Sequence, residues 1–441
     1  MQPLARWSRI DGMRRKLASL IAAKAALAAL AALAVIVAGC GVFGDPGIEL
    51  AVSRATPLPG SAAAAESGAD ALNAMGLDLF GVLAAADGNT VISPVSIGIA
   101  LGMARAGARG TTADEMDEVM HGAASDEHAS WLASLSRELA ARNRTIRDDE
   151  DVDHEVALHL ANALFGQRGF DLHQEFLDAL AARFEAGLRL VDFVADTDAA
   201  RRSINGWVND QTRDRIPELI GSGQLPPNTR LVLVNAVYLN APWAGHWSAM
   251  GNGPLGFTRP GGSSVHVPMM MTDGRLQYAE GDSWQAVELP YLGDELAMLL
   301  VVPHDLPAFE AALDADRLAT IVASLSERQT LVSMPPFEFE TQADLIPALR
   351  ALGMHAAFGD ADFSGISDSP LFISGVVHQA NISVDTRGTE AAAATAVMMD
   401  VSAPYGEVEV HANRPFLFAI RDRATGAILF LGHVTDPSIG M

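Results

Sequence analysis

Gly251-Asn-Gly-Pro-Leu-Gly256 has the spacing of a dinucleotide-binding glycine loop. Such a loop works where a strand ends and a helix begins, because the helix N-terminus holds the phosphates. Pro254 lies inside this pattern and Phe257-Thr-Arg-Pro-Gly-Gly262 follows it, so no helix begins there and the stretch reads as a loop. The 12 histidines are scattered, without a His-Glu-x-x-His or paired-cysteine site, and neither a metal nor a cofactor is expected. Serine, histidine and aspartate are plentiful, yet no Gly-x-Ser-x-Gly elbow presents a nucleophile. Cys40 is the single cysteine, so the chain can close no internal disulfide. No nucleophile–base pair is legible, so a hydrolase is the weakest reading and the chain is expected not to be an enzyme.

The most informative stretch is Gly388-Thr-Glu-Ala-Ala-Ala-Ala-Thr395, in which every side chain except that of Glu390 is small. As a strand it would place Thr389, Ala391, Ala393, Thr395, Val397, Met399 and Val401 on one face. Glu390, Ala392, Ala394 and Asp400 would take the other. Alanine is a poor strand former, but small residues suit a segment that must slide between other strands. Composition alone favours an alanine-rich helix or a surface linker, and from the residues both readings stand.

These residues need a scaffold, and 441 residues with 49% apolar content allow a substantial core in one large domain or two smaller ones. A helical period runs over 70–86, with Leu72, Met75, Leu79, Phe80 and Leu83 on one face, and Ser93-Pro94 caps and starts a second helix. Helical patterns recur over 112–141, 171–185 and 197–213. Strand-like runs then dominate at 231–239, 286–289, 297–302, 331–334, 371–373, 376–384, 408–411, 416–420 and 428–433. The acidic stretch 147–154 reads as a solvated loop. Helices first and strands afterwards suggest an α+β fold.

Arg6, Arg9, Arg14, Arg15 and Lys16 precede an apolar run, 25–37, that is too short to span a bilayer. Val37-Ala-Gly-Cys40 closes it and resembles the lipobox of bacterial lipoproteins, which implies that Cys40 is lipidated and that residues 1–40 are a signal peptide. Residues 41–69, rich in Gly, Ala, Ser and Pro, read as a flexible tether to a domain at 70–441. The chain is then expected in the cell envelope, facing the periplasm or the exterior, with membrane contact by its lipid alone. Removing residues 1–40, with six fixed cations and Asp11, takes the net charge from −24 to −29. No lysine follows Lys24. Such a surface repels nucleic acid and anionic headgroups.

Val384-Asp-Thr-Arg-Gly-Thr-Glu-Ala-Ala-Ala-Ala-Thr395 resembles the hinge of the reactive-centre loop in serpins. Further phrases resemble the family in the same order, over nearly the whole chain after residue ~70. They are Asn89-Thr-Val-Ile-Ser-Pro-Val-Ser-Ile97, Leu231-Val-Leu-Val-Asn-Ala-Val-Tyr-Leu239 with Trp243, Val267-Pro-Met-Met-Met271 and Ala286-Val-Glu-Leu-Pro-Tyr291. Asp362-Phe-Ser-Gly-Ile366, Val376-Val-His-Gln-Ala380 and Asn413-Arg-Pro-Phe-Leu-Phe418 complete them. The resemblance implies a serpin fold: a large, mainly antiparallel sheet, further sheets, a helical cluster and an exposed reactive loop.

It also implies roles. Gly388 to Thr395 would be the hinge, that is Gly388, Thr389, Glu390, Ala391, Ala392, Ala393, Ala394 and Thr395. Ser93, Ser96, Asn235 and His378 would form the shutter, where buried polar groups hold the sheet closed, and Trp243 would sit at the breach where insertion starts. Family spacing from Gly388 puts the cleaved bond at Ser402–Ala403, with Val401–Ser402 as the alternative. Small or β-branched residues there suit an elastase-like or subtilisin-like serine protease, with a cysteine protease also open. Thr386 stands where the family commonly has an acid, which puts the usual breach ion pair in doubt. The implied function is suicide inhibition by a monomer. A non-inhibitory serpin serving as a binding or chaperone-like surface protein is the alternative.

Overall fold

The computed structural model describes residues 47–84, 88–123, 125–148, 151–226, 228–250, 253–390 and 407–439. Among them, two large sheets and a small hairpin are flanked by helices. The first sheet runs Glu49–Ala51, Leu188–Val191, Asp153–Gln167, Leu231–Pro242, Gly388–Thr389, Ile373–Asp385 and Phe337–Asp344, with Arg144–Arg147 paired to the start of Asp153–Gln167. Most neighbours are antiparallel, but Leu231–Pro242 and Ile373–Asp385 are parallel, as are Asp153–Gln167 and Leu188–Val191. The expected central strand thus exists and runs three residues further. Apolar residues fill all of it except Asn235 and Asn240, as suits a strand covered on both faces.

The second sheet runs Val408–His411, Ser326–Met334, Met270–Gly281, Trp284–Pro290, Leu296–Pro303, Phe416–Asp422, Ile428–Val434 and Thr90–Ile92, with Ser248–Ala249 beside Met270–Gly281. The main core lies between the sheets and around helices Ala62–Leu83 and Pro94–Arg105. Leu72, Met75, Leu79 and Phe80 are buried, as the helical period requires. Helix Pro94–Arg105 begins where predicted: Ser93 Oγ accepts the Ser96 N–H at 3.3 Å, and Pro94 occupies the first turn. A smaller core joins helix Thr197–Gln211, through Ile204 and Val208, to Phe165, Val232 and Val234 on the outer face of the first sheet.

Several expectations change. The long strand Asp153–Gln167 was not legible, because its Ala- and Leu-rich run, buried along much of its length, shows no alternation. The stretch 147–154 is only in part a loop, since Arg147 ends one strand and Asp153 begins the next. The helical run over 112–141 is two helices, Gly110–Val119 and Ser125–Ala140, parted near His121, whose φ is 49°. The strand expected at 371–373 starts only at Ile373 and continues to Asp385. Residues 49–69 are not a free tether. Glu49–Ala51 pairs with Leu188–Val191, the Leu58 N–H donates to Ala182 O at 2.9 Å, and helix Ala62–Leu83 is capped by Ser61. Residues 251 and 252 lie outside the described set, and Leu255–Thr258, at the end of that glycine pattern, is a strand.

One ion pair ties helix to sheet. Arg142 Nε stands 2.5 Å from Asp422 Oδ2, and Asp422 Oδ1 accepts from Thr425 N and Oγ1 at 2.8 Å. Asp422 is fully buried, so its charge depends on these partners. Arg142→Met should destabilise the fold by about 3–5 kcal/mol, because it leaves a buried carboxylate without its cation. Urea denaturation measures this, and a loss below ~1 kcal/mol would mean that the pair is dispensable.

Candidate functional site

The parallel ladder between Leu231–Pro242 and Ile373–Asp385 begins at Leu231 and Ile373 and ends at Val237 and Ala380. Above that point the strands part, and Gly388–Thr389 lies between them, antiparallel to both. Thr389 stands opposite Ala241 on one side and Val384 on the other. The start of the expected hinge is therefore already a strand of the sheet. Gly388 is required here: its φ is 150°, and a Cβ would press on the backbone of Ala241 and Pro242.

Thr389 faces the core at 1% exposure, on the side that the alternation assigns to it. Its hydroxyl meets the Tyr291 hydroxyl at 2.6 Å. Tyr291 is fully buried, which makes its phenol harder to ionise. Trp243 stacks on Tyr291 at 4.5 Å, with the rings 6° apart. The Trp243 indole N–H donates to Asp385 O at 2.8 Å, and its backbone N–H donates to Arg387 O at 3.0 Å. Trp243 thus grips the turn that carries the hinge. Thr386 offers no acid there; Arg387 instead pairs with Asp385 beside it, Nε to Oδ2 at 2.9 Å.

Glu390, the next residue, points to the opposite face. Its N–H donates to Ser383 O at 2.9 Å, its φ is 53°, and its side chain is only 7% exposed. Arg215 Nε lies 3.4 Å from Oε2, close enough for attraction but not aligned as a hydrogen bond. Burial pushes the carboxyl up to about 7; Arg215 opposes the rise and Glu338 adds to it. Tyr238, on the central strand, feels the Glu390 charge in turn.

Below the hinge, Ser93, Ser96, Asn235 and His378 come together, all with no exposed surface. His378 and Asn235 face each other across the parallel ladder. His378 Nε2 accepts the Ser93 N–H at 3.2 Å, so its proton sits on Nδ1, which donates to Asn235 Oδ1. Burial lowers the His378 pKa to about 3, so the ring is neutral at ordinary pH. Ser96 Oγ donates to Asn162 Oδ1 at 2.7 Å. Asn162 is a member that the sequence reading missed, and an amide inside an Ala- and Leu-rich run was its only signal. Among the described residues Asn235 Nδ2 has no acceptor. Ala391, Ala392, Ala393, Ala394 and Thr395, the bonds Ser402–Ala403 and Val401–Ser402, and Cys40 lie outside the described residues. Among those residues no group of three His, Cys, Asp or Glu is placed to hold a metal.

A sequence model of the family described as Serpin (serine protease inhibitor) matches residues 70–437. An uncharacterized serpin-like protein of Thermococcus kodakarensis is 39% identical over 84% of this chain and 86% of its own. The leukocyte elastase inhibitor of Xenopus tropicalis is 35% identical over 80% of this chain and 94% of its own. Among solved structures, native tengpin, a thermophilic serpin, superposes with a TM-score of 0.77 at 24% identity, over 88% of this chain and all of its own. The highly specific Serpin48 of the insect Tenebrio molitor gives 0.72 at 28%, over 84% and 98%. The chain belongs to the serpin family and has the serpin fold. Members of that family are typically serine protease inhibitors rather than enzymes.

Glu390 should make the seating of Gly388–Thr389 in the sheet depend on pH. In water the carboxyl would return to its usual value of 4.5, whereas in the sheet it sits at about 7, so the inserted hinge binds more protons. Stabilisation of the inserted form is full below pH 4.5 and is lost as pH rises through about 7, a span worth on the order of 3 kcal/mol. Hydrogen exchange at the Glu390 amide, corrected for its intrinsic rate, should show protection falling between pH 4.5 and about pH 7. Glu390→Gln should abolish the fall. Protection that ignores pH in the wild-type chain would mean that the carboxylate does not control the hinge.

Proposed function

We propose that the chain is a suicide inhibitor of serine proteases. The observation that carries this reading is the hinge residue Thr389, seated between two strands that are parted above it and paired below it. A protease would take the loop as substrate. Its serine oxygen attacks the Ser402 carbonyl, the bond to Ala403 breaks, and the new amine leaves with the proton. The freed hinge then enters the sheet down the line between Leu231–Pro242 and Ile373–Asp385. Each parallel contact is exchanged for two antiparallel ones, and the tethered protease is carried away and distorted before water reaches the ester. New ladder bonds at roughly 0.5–1.5 kcal/mol each, with apolar burial, supply the drive.

Thr389, Ala391, Ala393 and Thr395 are small enough to be buried in that slot, which supports inhibition over a passive binding role. Val401, Ser402 and Ala403 suit an elastase-like or subtilisin-like protease, and likeness to a leukocyte elastase inhibitor supports the former. The chain would act as a monomer, with Cys40 lipidated so that the domain is displayed at the envelope surface.

Incubation with an elastase-like protease should give an SDS-resistant complex. Thr389→Arg should remove it while cleavage continues, because a charge would be buried beside Tyr291 with no acid to meet it. If the wild-type chain is cut without forming the complex, the non-inhibitory reading replaces this one.

Calorimetry on the chain cut near Ser402 should show a markedly higher melting point, since the inserted segment adds many ladder bonds to a typical stability of ~5–15 kcal/mol. A midpoint that stays or falls would mean that the loop has not entered the sheet.

Cys40→Ser should shift the protein from membrane to soluble fractions with complex formation unchanged. Continued membrane recovery with an unprocessed N-terminus would point to an uncleaved anchor.

A further inference from the structure

The outer face of the first sheet holds a cation that no acid among the described residues meets. Arg189 stands in strand Leu188–Val191, opposite Leu50 on one side and Phe165 on the other. Its guanidinium lies 4.7 Å over the Trp207 ring, and Trp207 meets the edge of Phe165 at 5.6 Å. Nε is sealed from solvent and has no hydrogen-bond acceptor. Burial weakens the guanidinium's hold on its proton, with no neighbouring charge to offset it. Nearby arginines are matched: Arg137 to Glu185 at 2.9 Å and Arg168 to Glu49 at 3.4 Å. A chain with 54 acids and 30 basic residues does not lack carboxylates, yet among the described residues none reaches Arg189.

Beside Arg189 is a cavity of about 490 Å³, bounded by Val52, Pro57, Ala163, Phe184, Ala186 and Gln211. That volume lies within the ~300–1,000 Å³ typical of small-ligand pockets. Its walls are mixed: Val52, Pro57, Ala163, Phe184 and Ala186 give apolar surface, and Ser53, Asn162 and Gln211 give polar surface. Glu185 lines the cavity too, but Arg137 neutralises it.

We propose that this cavity binds a small monocarboxylate with an apolar body, its anionic end on Arg189 and its body against Phe184 and Ala163. A carboxylate would give the guanidinium the paired acceptor it lacks, in the geometry the two groups share. One cation balances one negative charge, which favours a monocarboxylate over a phosphate dianion. The cation–π contact with Trp207 holds the guanidinium at the cavity wall without using its N–H groups.

Titration calorimetry on the full chain with octanoate, 1-octanol and inorganic phosphate tests this. Octanoate should bind saturably at one site, and octanol, with the same tail and no charge, at least about tenfold more weakly. Arg189→Gln should weaken octanoate by a similar factor, with its melting point recorded as a check on folding. Equal binding of octanol and octanoate to the wild-type chain would overturn the proposal without recourse to any variant. So would absence of saturable octanoate binding, octanoate binding unchanged by Arg189→Gln, or phosphate binding more tightly than octanoate.

Discussion

Two strands of the first sheet run parallel from Leu231 and Ile373 and stop pairing at Val237 and Ala380, and the site is arranged around that parting. The central strand is anchored to the left by a ten-residue antiparallel register with Asp153–Gln167. Its parallel neighbour is anchored to the right by Phe337–Asp344. Each of the two strands is thus held on its far side by a better ladder than the one that joins them, since parallel pairing is slightly weaker per residue. The line between them is where the sheet can open at least cost.

Different chemistry guards two points on that line. At the top, Trp243, Tyr291 and Thr389 form an aromatic and hydroxyl clamp on the hinge. Midway, His378, Asn235, Ser93, Ser96 and Asn162 form a chain of hydrogen bonds that crosses from strand to strand and reaches into the helix below. A dry polar cluster is costly when half satisfied and rigid when complete. Separating the strands would therefore require each member to find a replacement partner, which makes the cluster a barrier as much as a bond. Helix Thr197–Gln211 adds to it, because its core includes Val232 and Val234 of one strand and touches Val377 of the other.

Much of this was readable in the residues. Helix Pro94–Arg105 announced itself by a cap and a proline, and the strand from Leu231 by an apolar run interrupted at Asn235. The two faces of the hinge followed from alternation, and Thr389 and Glu390 obey it. What stayed hidden depended on partners distant in sequence. Asp153–Gln167 shows no strand alternation because it is buried along much of its length, and Asn162 has meaning only opposite Asn235. The insertion of Gly388–Thr389 could not be read at all, because it reflects a balance between a glycine that fits and a glutamate that resists burial.

An ordinary sheet carries its unpaired edges at the rim, where charges and bulges keep other chains off. This sheet carries an additional edge inside itself, along the upper lengths of Leu231–Pro242 and Ile373–Asp385, and among the described residues only the start of the hinge occupies it. Such an edge does not distinguish its own chain from a stranger's. An extended segment of small residues that reached this edge would find the same ladder geometry whichever chain it came from.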